Sequence, residues 1–465
     1  MVNSKEEITH SKLEMASYGM GAAINQFFRM AFIAFGFYFY EGELGLDVWI
    51  TTLGYIIFAI YNAINDPLVG YITNRPFKFT KKWGRRFPWI MIGGVPWVAT
   101  YILVFTPPDV DPVSGAWILF GWLVFSTCLF DTFNSIWWVN FYALFPDKFR
   151  SPKERRIASG IVTPIGIIGI SLGGIVPPLL ITYGVPSTFI IQAGVVSLIA
   201  FIMLMLGIPG WRDDPGSVER YLEKYDEEKQ EEESFFKSMI GTLHQKSFVL
   251  LLIIYLTWQV LTFCVQASVP YLIRFVLKMQ ASAQLFLQLS FLIGAVLSIP
   301  IWIKLASKLN NNKKVYLIAS VILVVFSIPL SLVAEYYILL IIFILWGVGL
   351  GGFWALNRIL LSDAIDEAVA NTGKREEGIY SGIIMFFNRV AIIVQVIIFA
   401  TVHTMTGFVE GADSQSPQAQ WGIQLHLGII PAIILLIGTL LFWKFYDLTP
   451  SKIEDIQNKL KQMGL

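Results

Sequence analysis

Twelve stretches of this 465-residue chain are apolar over the ~20 residues that a helix needs to cross a hydrocarbon layer, and no other feature limits the possible folds as much. They read as 16–41, 47–74, 87–106, 115–145, 157–183, 187–208, 247–277, 283–305, 314–333, 336–366, 377–407 and 423–446. Lipid offers no hydrogen-bond partners, so each segment must satisfy its own N–H and C=O groups, and a helix does so within itself. The expected fold class is therefore all-α integral membrane, with twelve transmembrane helices. Several stretches exceed the minimum, which implies tilt or extension beyond the bilayer. Charged residues make up 14% of the chain, against roughly 25% in soluble domains, too few to cover a water-facing surface. The 36 Phe, 18 Tyr and 15 Trp suit a lipid-facing exterior with interfacial anchors.

Lys and Arg set the expected orientation. Arg75, Lys78, Lys81, Lys82, Arg85 and Arg86 follow the second stretch, Lys148, Arg150, Lys153, Arg155 and Arg156 the fourth. Lys308, Lys313 and Lys314 follow the eighth, and Lys374 and Arg375 the tenth. The alternate loops carry Glu41, Glu43, Asp47, Asp109, Asp111, Glu335, Glu410 and Asp413 instead, with Arg274 and Lys278 as exceptions. The positive-inside rule then places both termini in the cytoplasm of a multi-pass protein of the cell (plasma) membrane. Residues 1–15 lack the apolar core of a cleavable signal peptide, so the first span is expected to direct insertion.

The longest connection, 209–246, has an almost wholly charged or polar core from Glu223 to Ser234 and divides the spans six and six. Four segments result: an N-terminal six-helix bundle (1–208), a cytoplasmic linker (209–246) with an amphipathic helix around Val218–Tyr225, a C-terminal six-helix bundle (247–446) and a cytoplasmic tail (447–465). Two six-span halves joined in this way are the pattern of parallel-repeat transporters, although no residue-level repeat is visible. A net charge of +1 and the lack of a basic, aromatic-interleaved module argue against nucleic acid. Cys128 and Cys264 both lie in apolar stretches and read as small buried residues.

Polar side chains inside the spans point to function, because each ionisable group at membrane depth costs at least ~2.5–3.5 kcal/mol and tends to face a cavity or a partner. The first span holds Asn25, Gln26 and Arg29. In the second, Asn62, Asn65 and Asp66 share one helical face, and Pro67 leaves the carbonyl of Ala63 without its helical donor. In the fourth, Asp131, Asn134, Ser135 and Trp138 fall at i, i+3, i+4 and i+7. The second half offers Gln259, Thr262 and Gln266, then Trp354, Asn357 and Arg358, then Asn388 and Arg389. Asn and Gln also serve as bonds between helices, and the Trp residues as ordinary packing. Aromatic faces nonetheless suit the C–H side of a sugar ring, and Asn, Gln and Arg suit its hydroxyls. Asp363 and Asp366 read as gate or loop contacts. His10, His244, His403 and His426 read as scattered, with no metal-ligand cluster or nucleophile–base pair, so neither an enzyme nor a cofactor is expected.

Asn65-Asp66-Pro67-Leu68-Val69-Gly70 followed by Trp83-Gly84-Arg85-Arg86-Phe87-Pro88-Trp89 resembles the motif of the glycoside–pentoside–hexuronide:cation symporters, the melibiose-permease-like family of the major facilitator superfamily. Tyr142-Ala143-Leu144-Phe145-Pro146 with Glu154-Arg155, the Asp363/Asp366 pair and Glu377-Gly378-Ile379-Tyr380-Ser381-Gly382 extend the resemblance in order over nearly the whole chain. It implies a major facilitator fold with alternating access, a central solute site and a nearby cation site. On this likeness Asp66, Asn65 and Ser135 match cation-site positions, and Gly84-Arg85-Arg86 belongs to the cytoplasmic gate. The melibiose type carries a carboxylate where this chain has Asn62, acidic sugar ligands at Gln26 and Trp138, an arginine at Thr163 and a lysine at Asn388. The galactoside-binding set is thus absent.

These readings converge on a secondary active symporter of a sugar, glycoside or uronide, coupled to H⁺ or Na⁺ and expected to be a monomer. The coupling set is Asp66, Asn62, Asn65, Ser135 and Asp131, with Na⁺ served by Asp66, Asn62, Asn65 and Ser135 and a single formal charge. A lone buried carboxylate favours H⁺, whereas Arg29 beside Asp66 would favour uniport or exchange. The solute set is Asn25, Gln26, Arg29, Trp138, Trp354, Asn357, Asn388 and Arg389; the gate set is Arg85, Arg86, Asp363 and Asp366. A lysolipid or other amphiphile carrier is the competing reading, and a non-transporting membrane sensor is the alternative from another class.

Overall fold

The computed structural model describes residues 8–75, 77–214, 216, 218–219, 221–222, 242–373 and 377–463, and of Glu377 the backbone only. Among these residues twelve helices are long and apolar enough to cross a membrane. The chain divides into two compact units, each with six of them. The first contains α1 (Lys12–Tyr38), α2 (Val48–Thr73), α3 (Phe87–Val104), α4 (Ala116–Lys148), α5 (Pro152–Leu180) and α6 (Ser187–Trp211). The second contains α7 (Lys246–Tyr271), α8 (Gln284–Leu309), α9 (Asn312–Leu332), α10 (Tyr336–Thr372), α11 (Glu377–Thr406) and α12 (Pro417–Phe445). A short helix, α13 (Pro450–Gln462), follows.

Helix boundaries depart from the apolar stretches where capping chemistry extends them. α5 begins five residues early because the Ser151 hydroxyl accepts from the Glu154 N–H at 3.1 Å and Pro152 occupies the first helical position. Lys153, Glu154, Arg155 and Arg156, read as loop residues, therefore form its first turns. α10 runs to Thr372 and stops at Gly373, whose φ of +72° suits the left-handed cap that a glycine adopts without strain. Of the expected linker helix, Val218, Glu219, Tyr221 and Leu222 are helical; residues 223–225, the linker core 223–234, and Lys374 and Arg375 lie outside the described residues.

An internal repeat that the residues conceal is plain in the packing. In the first unit α1 packs on α5 and α6, α4 on α2 and α3, and α3 on α6. In the second, α7 packs on α11 and α12, α10 on α8 and α9, and α9 on α12. The two sets correspond pair for pair when six is added to each helix number. The first helix of each unit also ends in a π-helical turn, Phe39–Glu43 and Leu272–Val276.

Small residues make the closest helix contacts, as expected where packing rather than water drives association. A Cβ on Gly169 of α5 would collide with the backbone carbonyl of Ala23 in α1. On α10 a Cβ at Gly347 would strike the carbonyl oxygen of Phe291 in α8, and one at Gly294 of α8 would strike that of Ile344. Backbone cannot yield as a flexible side chain can. Gly347→Ala should therefore lower the apparent melting temperature of the purified protein, at a cost of about 1–3 kcal/mol from overpacking. Gly194→Ala in α6, where a Cβ meets nothing within 4 Å, should leave it unchanged or slightly higher.

Candidate functional site

α2 and α4 lie side by side and meet at a constant sequence offset. Asn62 of α2 donates its side-chain amide to Asp131 of α4, and one helical turn on the Ser135 hydroxyl donates to Asp66 at 2.5 Å. Both pairs are 69 residues apart. The same offset relates Gly54 to Leu123, where the missing side chain brings the helices close, and Gly70 to Val139, which are in ordinary contact range. Between these pairs Asn65 adds its amide to Asp131 at 3.3 Å, and Tyr61 shares a hydrogen bond of 2.7 Å with Thr132. An i, i+4 step advances about 6 Å along a helix, so the two rungs form one compact polar patch.

All five residues expected to couple a cation thus meet at one helix–helix contact. The expectation of a lone carboxylate with one formal charge is corrected: Asp131 stands one rung from Asp66, because the matched register of two parallel helices brings both acids to the same contact. The two acids differ in access. Asp131 is 2% exposed and accepts two amide donors, whereas Asp66 is half-buried. On α4 the Asn134 side-chain oxygen is buried without a hydrogen-bond partner, and it shares a face with Trp138.

The residues expected to bind solute separate by unit. In the first, half-buried Asn25 and Gln26 and exposed Arg29 share a face of α1 distinct from the one that Ala23 and Phe27 turn to α5. Trp138 is half-buried with its ring 4.0 Å from that of the exposed Tyr142. In the second, Asn388 of α11 accepts from the Gln259 amide of α7, which joins two helices. Asn357 of α10 accepts from the Tyr316 hydroxyl of α9 at 3.4 Å. Arg389 donates at 3.0 Å to the carbonyl of Met385 in its own helix, and Trp354 is half-buried.

A sequence model described as MFS/sugar transport protein matches residues 17–450. The chain belongs to this family. It is 22% identical over 427 residues to a Danio rerio protein named sodium-dependent lysophosphatidylcholine symporter 1-A, covering 83% of this chain and 76% of that one. It is 23% identical over 492 residues to a Synechocystis protein named an uncharacterized symporter, with 87% and 88% covered. Among solved structures it is similar to a D-xylose–proton symporter, at a TM-score of 0.65, 14% identity and 93% and 98% coverage. The xylose transporter of E. coli in an inward-open conformation matches at a TM-score of 0.63, 14% identity and 95% and 98% coverage. The fold is the major facilitator fold, and the chain is a multi-pass membrane transporter of that superfamily.

The transporter concentrates charge at the helix ends, and here the structure adds residues that the sequence reading missed. Arg86 has its Nε 3.7 Å from Asp147 and donates Nη1 to Asn140 at 3.2 Å, while Arg85 lies 3.9 Å from Asp147 and stacks at 3.8 Å on the Tyr221 ring. Burial, then the neighbouring Arg85, pulls the Arg86 guanidinium down to about 10, which leaves it charged at neutral pH. Asp213 accepts from the backbone N–H groups of Arg86 and Phe87 at 2.9 Å each and so caps α3. The two expected gate arginines are thus anchored to the ends of α4 and α6 in their own unit. In the second unit Asp363 accepts from Asn312 at 3.2 Å and Asp366 from Gln457 of α13 at 2.9 Å. Glu367, missed because it reads as one more charge after the pair, is held by Lys452 of α13 at 2.5 Å and by the Ser247 hydroxyl. The signal for these partners was available only as charges of opposite sign at distant helix ends.

One further expectation is corrected. The histidines are not all scattered, since His403 of α11 and His426 of α12 meet at 3.0 Å, and His426 also bonds Ser268 of α7 at 2.7 Å. The helices fold back to the same end of the unit, which no sequence spacing announces. Among the described residues no three His, Cys, Asp or Glu groups gather in a metal-holding arrangement.

Burial holds the Asp213 carboxyl above the ordinary carboxylate range, with the Arg86 and Phe87 N–H groups opposing. Asp213→Ala should cost about 1–3 kcal/mol of stability through two orphaned helix N–H groups, measured by thermal unfolding. A raised value means that the folded state binds the proton more tightly than the unfolded one. Stability from this group is therefore greatest below the unfolded value of about 4 and is lost as pH rises through the raised folded value. Asp213→Asn should remove that pH dependence while retaining an acceptor.

Proposed function

We propose that the transporter is a cation-coupled symporter of the glycoside–pentoside–hexuronide kind, with Na⁺ as the coupling ion bound between α2 and α4. The observation that carries this reading is the pair of carboxylates, Asp66 and Asp131, held on adjacent rungs with Ser135, Asn62 and Asn65. Na⁺ is a hard cation served by several oxygens, preferably with formal negative charge among them. Two acids, a hydroxyl and two amides supply both. Half-buried Asp66 is the group that an arriving ion reaches, and Asp131 adds field from behind while its oxygens are kept in place by amide donors. The cation neutralises charge that is otherwise costly at membrane depth, and this couples its binding to the conformation of the pair.

The solute on this reading is polar and rich in hydroxyls. Asn25, Gln26 and Arg29 on one face of α1 and the Trp138–Tyr142 pair on α4 combine hydrogen-bonding groups with an aromatic surface for a sugar ring. Asn134, with its unpartnered buried oxygen, joins this set. Trp354, Asn357, Asn388 and Arg389 are the corresponding candidates of the second unit, and the Arg residues favour an anionic sugar such as a uronate. A second reading rests on the relatives named sodium-dependent lysophosphatidylcholine symporters. On it the same cation site drives an amphiphile, and Arg29 meets the phosphate. We place both termini in the cytoplasm of the plasma membrane, following the Lys and Arg distribution.

Ion binding is testable before the solute is known. Purified wild-type protein should gain apparent melting temperature in NaCl relative to choline chloride, and by linkage a tenfold excess over the dissociation constant corresponds to about 1.4 kcal/mol. Asp66→Asn should abolish the gain and Ser135→Ala should reduce it. An equal Na⁺ shift in Asp66→Asn would remove Asp66 from the site, and stabilisation by acidification in place of Na⁺ would make H⁺ the coupling ion. Uptake into proteoliposomes under an imposed Na⁺ gradient then separates the solutes: xylose, melibiose or glucuronate accumulating supports the sugar reading, and lysophosphatidylcholine alone supports the amphiphile.

A further inference from the structure

A cavity of about 610 Å³ lies at the end of the first unit where α3 begins and α6 ends, within the roughly 300–1,000 Å³ range of small-molecule sites. Its lining includes three cations, Lys81, Lys82 and Arg212, all exposed. None of the three forms an ion pair among the described residues; Lys82 lies 5.5 Å from the Trp83 ring. Of the two acids that also line the cavity, Asp213 spends one oxygen on the backbone N–H groups of Arg86 and Phe87, and Glu219 is exposed. The lining thus carries three positive and two negative groups, a formal excess of one positive charge, which favours an anionic ligand.

The remaining lining is apolar. Phe87, Val218 and Leu222 face the cavity, and so does Trp83, 58% of whose surface is exposed. The cavity lies where two apolar spans end, at Phe87, the first residue of α3, and Trp211, the last of α6. Exposed Trp and Lys at span ends are the residue types that seat at lipid head groups. A soluble phosphate compound would meet the cations but would have no use for the apolar side chains. A phospholipid uses both, with phosphate and glycerol against Lys81, Lys82 and Arg212 and the upper acyl chain along Trp83, Phe87 and Leu222.

We propose that this cavity is a binding site for an anionic phospholipid, separate from the solute and cation sites. Each basic residue near a lipid surface contributes about 1 kcal/mol, equivalent to about fivefold in affinity. Because Asp213 caps α3 from within the cavity wall, an occupied site also holds the start of α3 against the end of α6.

The test compares phosphatidylglycerol, phosphatidylcholine with the same acyl chains, and inorganic phosphate on the purified full-length chain, read by lipid adducts in native mass spectrometry and by thermal shift. Phosphatidylglycerol should bind more tightly than phosphatidylcholine, and the preference should shrink with salt. The combined Lys81→Gln, Lys82→Gln and Arg212→Gln variant should lose it, with about fivefold per residue, while Lys81→Arg with Lys82→Arg should keep it. Equal binding of the two lipids to wild-type protein overturns the proposal. So does a preference that survives in the neutralised variant, or full stabilisation by inorganic phosphate alone, which would mark a free-anion site. Should the neutralised variant lack a cooperative unfolding transition, a fall of about fivefold in the preference in Lys82→Gln alone supports the proposal, and an unchanged preference there overturns it.

Discussion

The contact between α2 and α4 is the interaction on which the rest of the first unit's chemistry depends. Two carboxylates inside an apolar layer are costly, at least ~2.5–3.5 kcal/mol each on insertion scales. The cost is offset because the helices keep one register over four positions, from Gly54/Leu123 to Gly70/Val139, and the polar rungs fall between them. A slip of one residue would turn Asp131 by about 100° away from Asn62 and Asn65 and leave its charge without donors. The same register that satisfies the acids also gathers five oxygen-bearing side chains at one place. Structural satisfaction and the proposed ion binding would be two uses of one arrangement.

Charge at the helix ends follows a different rule. There water is near, and a buried ion pair is weak evidence for stability by itself. What the end clusters supply is attachment. Asp213 ties the start of α3 to the end of α6, the Arg85–Arg86–Asp147 group ties the loop before α3 to α4, and Lys452–Glu367 with Gln457–Asp366 ties α13 to α10. Each unit is thereby fastened within itself. The repeat of helix pairs suggests why two such units suffice: the same five contacts, built from different residues, produce two bundles of the same architecture.

Much of the fold was legible because it follows from a solvent that forbids unpaired backbone. The length of apolar runs fixes the number and type of elements, and twelve were read and twelve are described. Boundaries were less legible where polar residues continue a helix, as Glu154 does behind the Ser151 cap and as residues 367–372 do before Gly373. The candidate site was legible as two i, i+4 polar patterns, Asn62/Asp66 and Asp131/Ser135, each on its own helix. Their mutual pairing was not, because nothing in either segment encodes which neighbour it faces. Asp147, Asp213 and Glu367 stayed hidden for the same reason, and so did the His403–His426 contact.

The chain's own residues thus determined that it lies in a membrane, crosses it as helices, divides six and six, and carries a small number of polar groups too costly to be idle. Those are consequences of local composition and of period, and they need no knowledge of neighbours. Only the tertiary structure decided that Asp131 joins Asp66, that Asn388 is occupied by Gln259, and that Arg85 and Arg86 are held within their own bundle. The reason is geometric: these contacts join residues 54 to 129 positions apart, and their energy depends on helix register and rotation, which no stretch of sequence specifies alone.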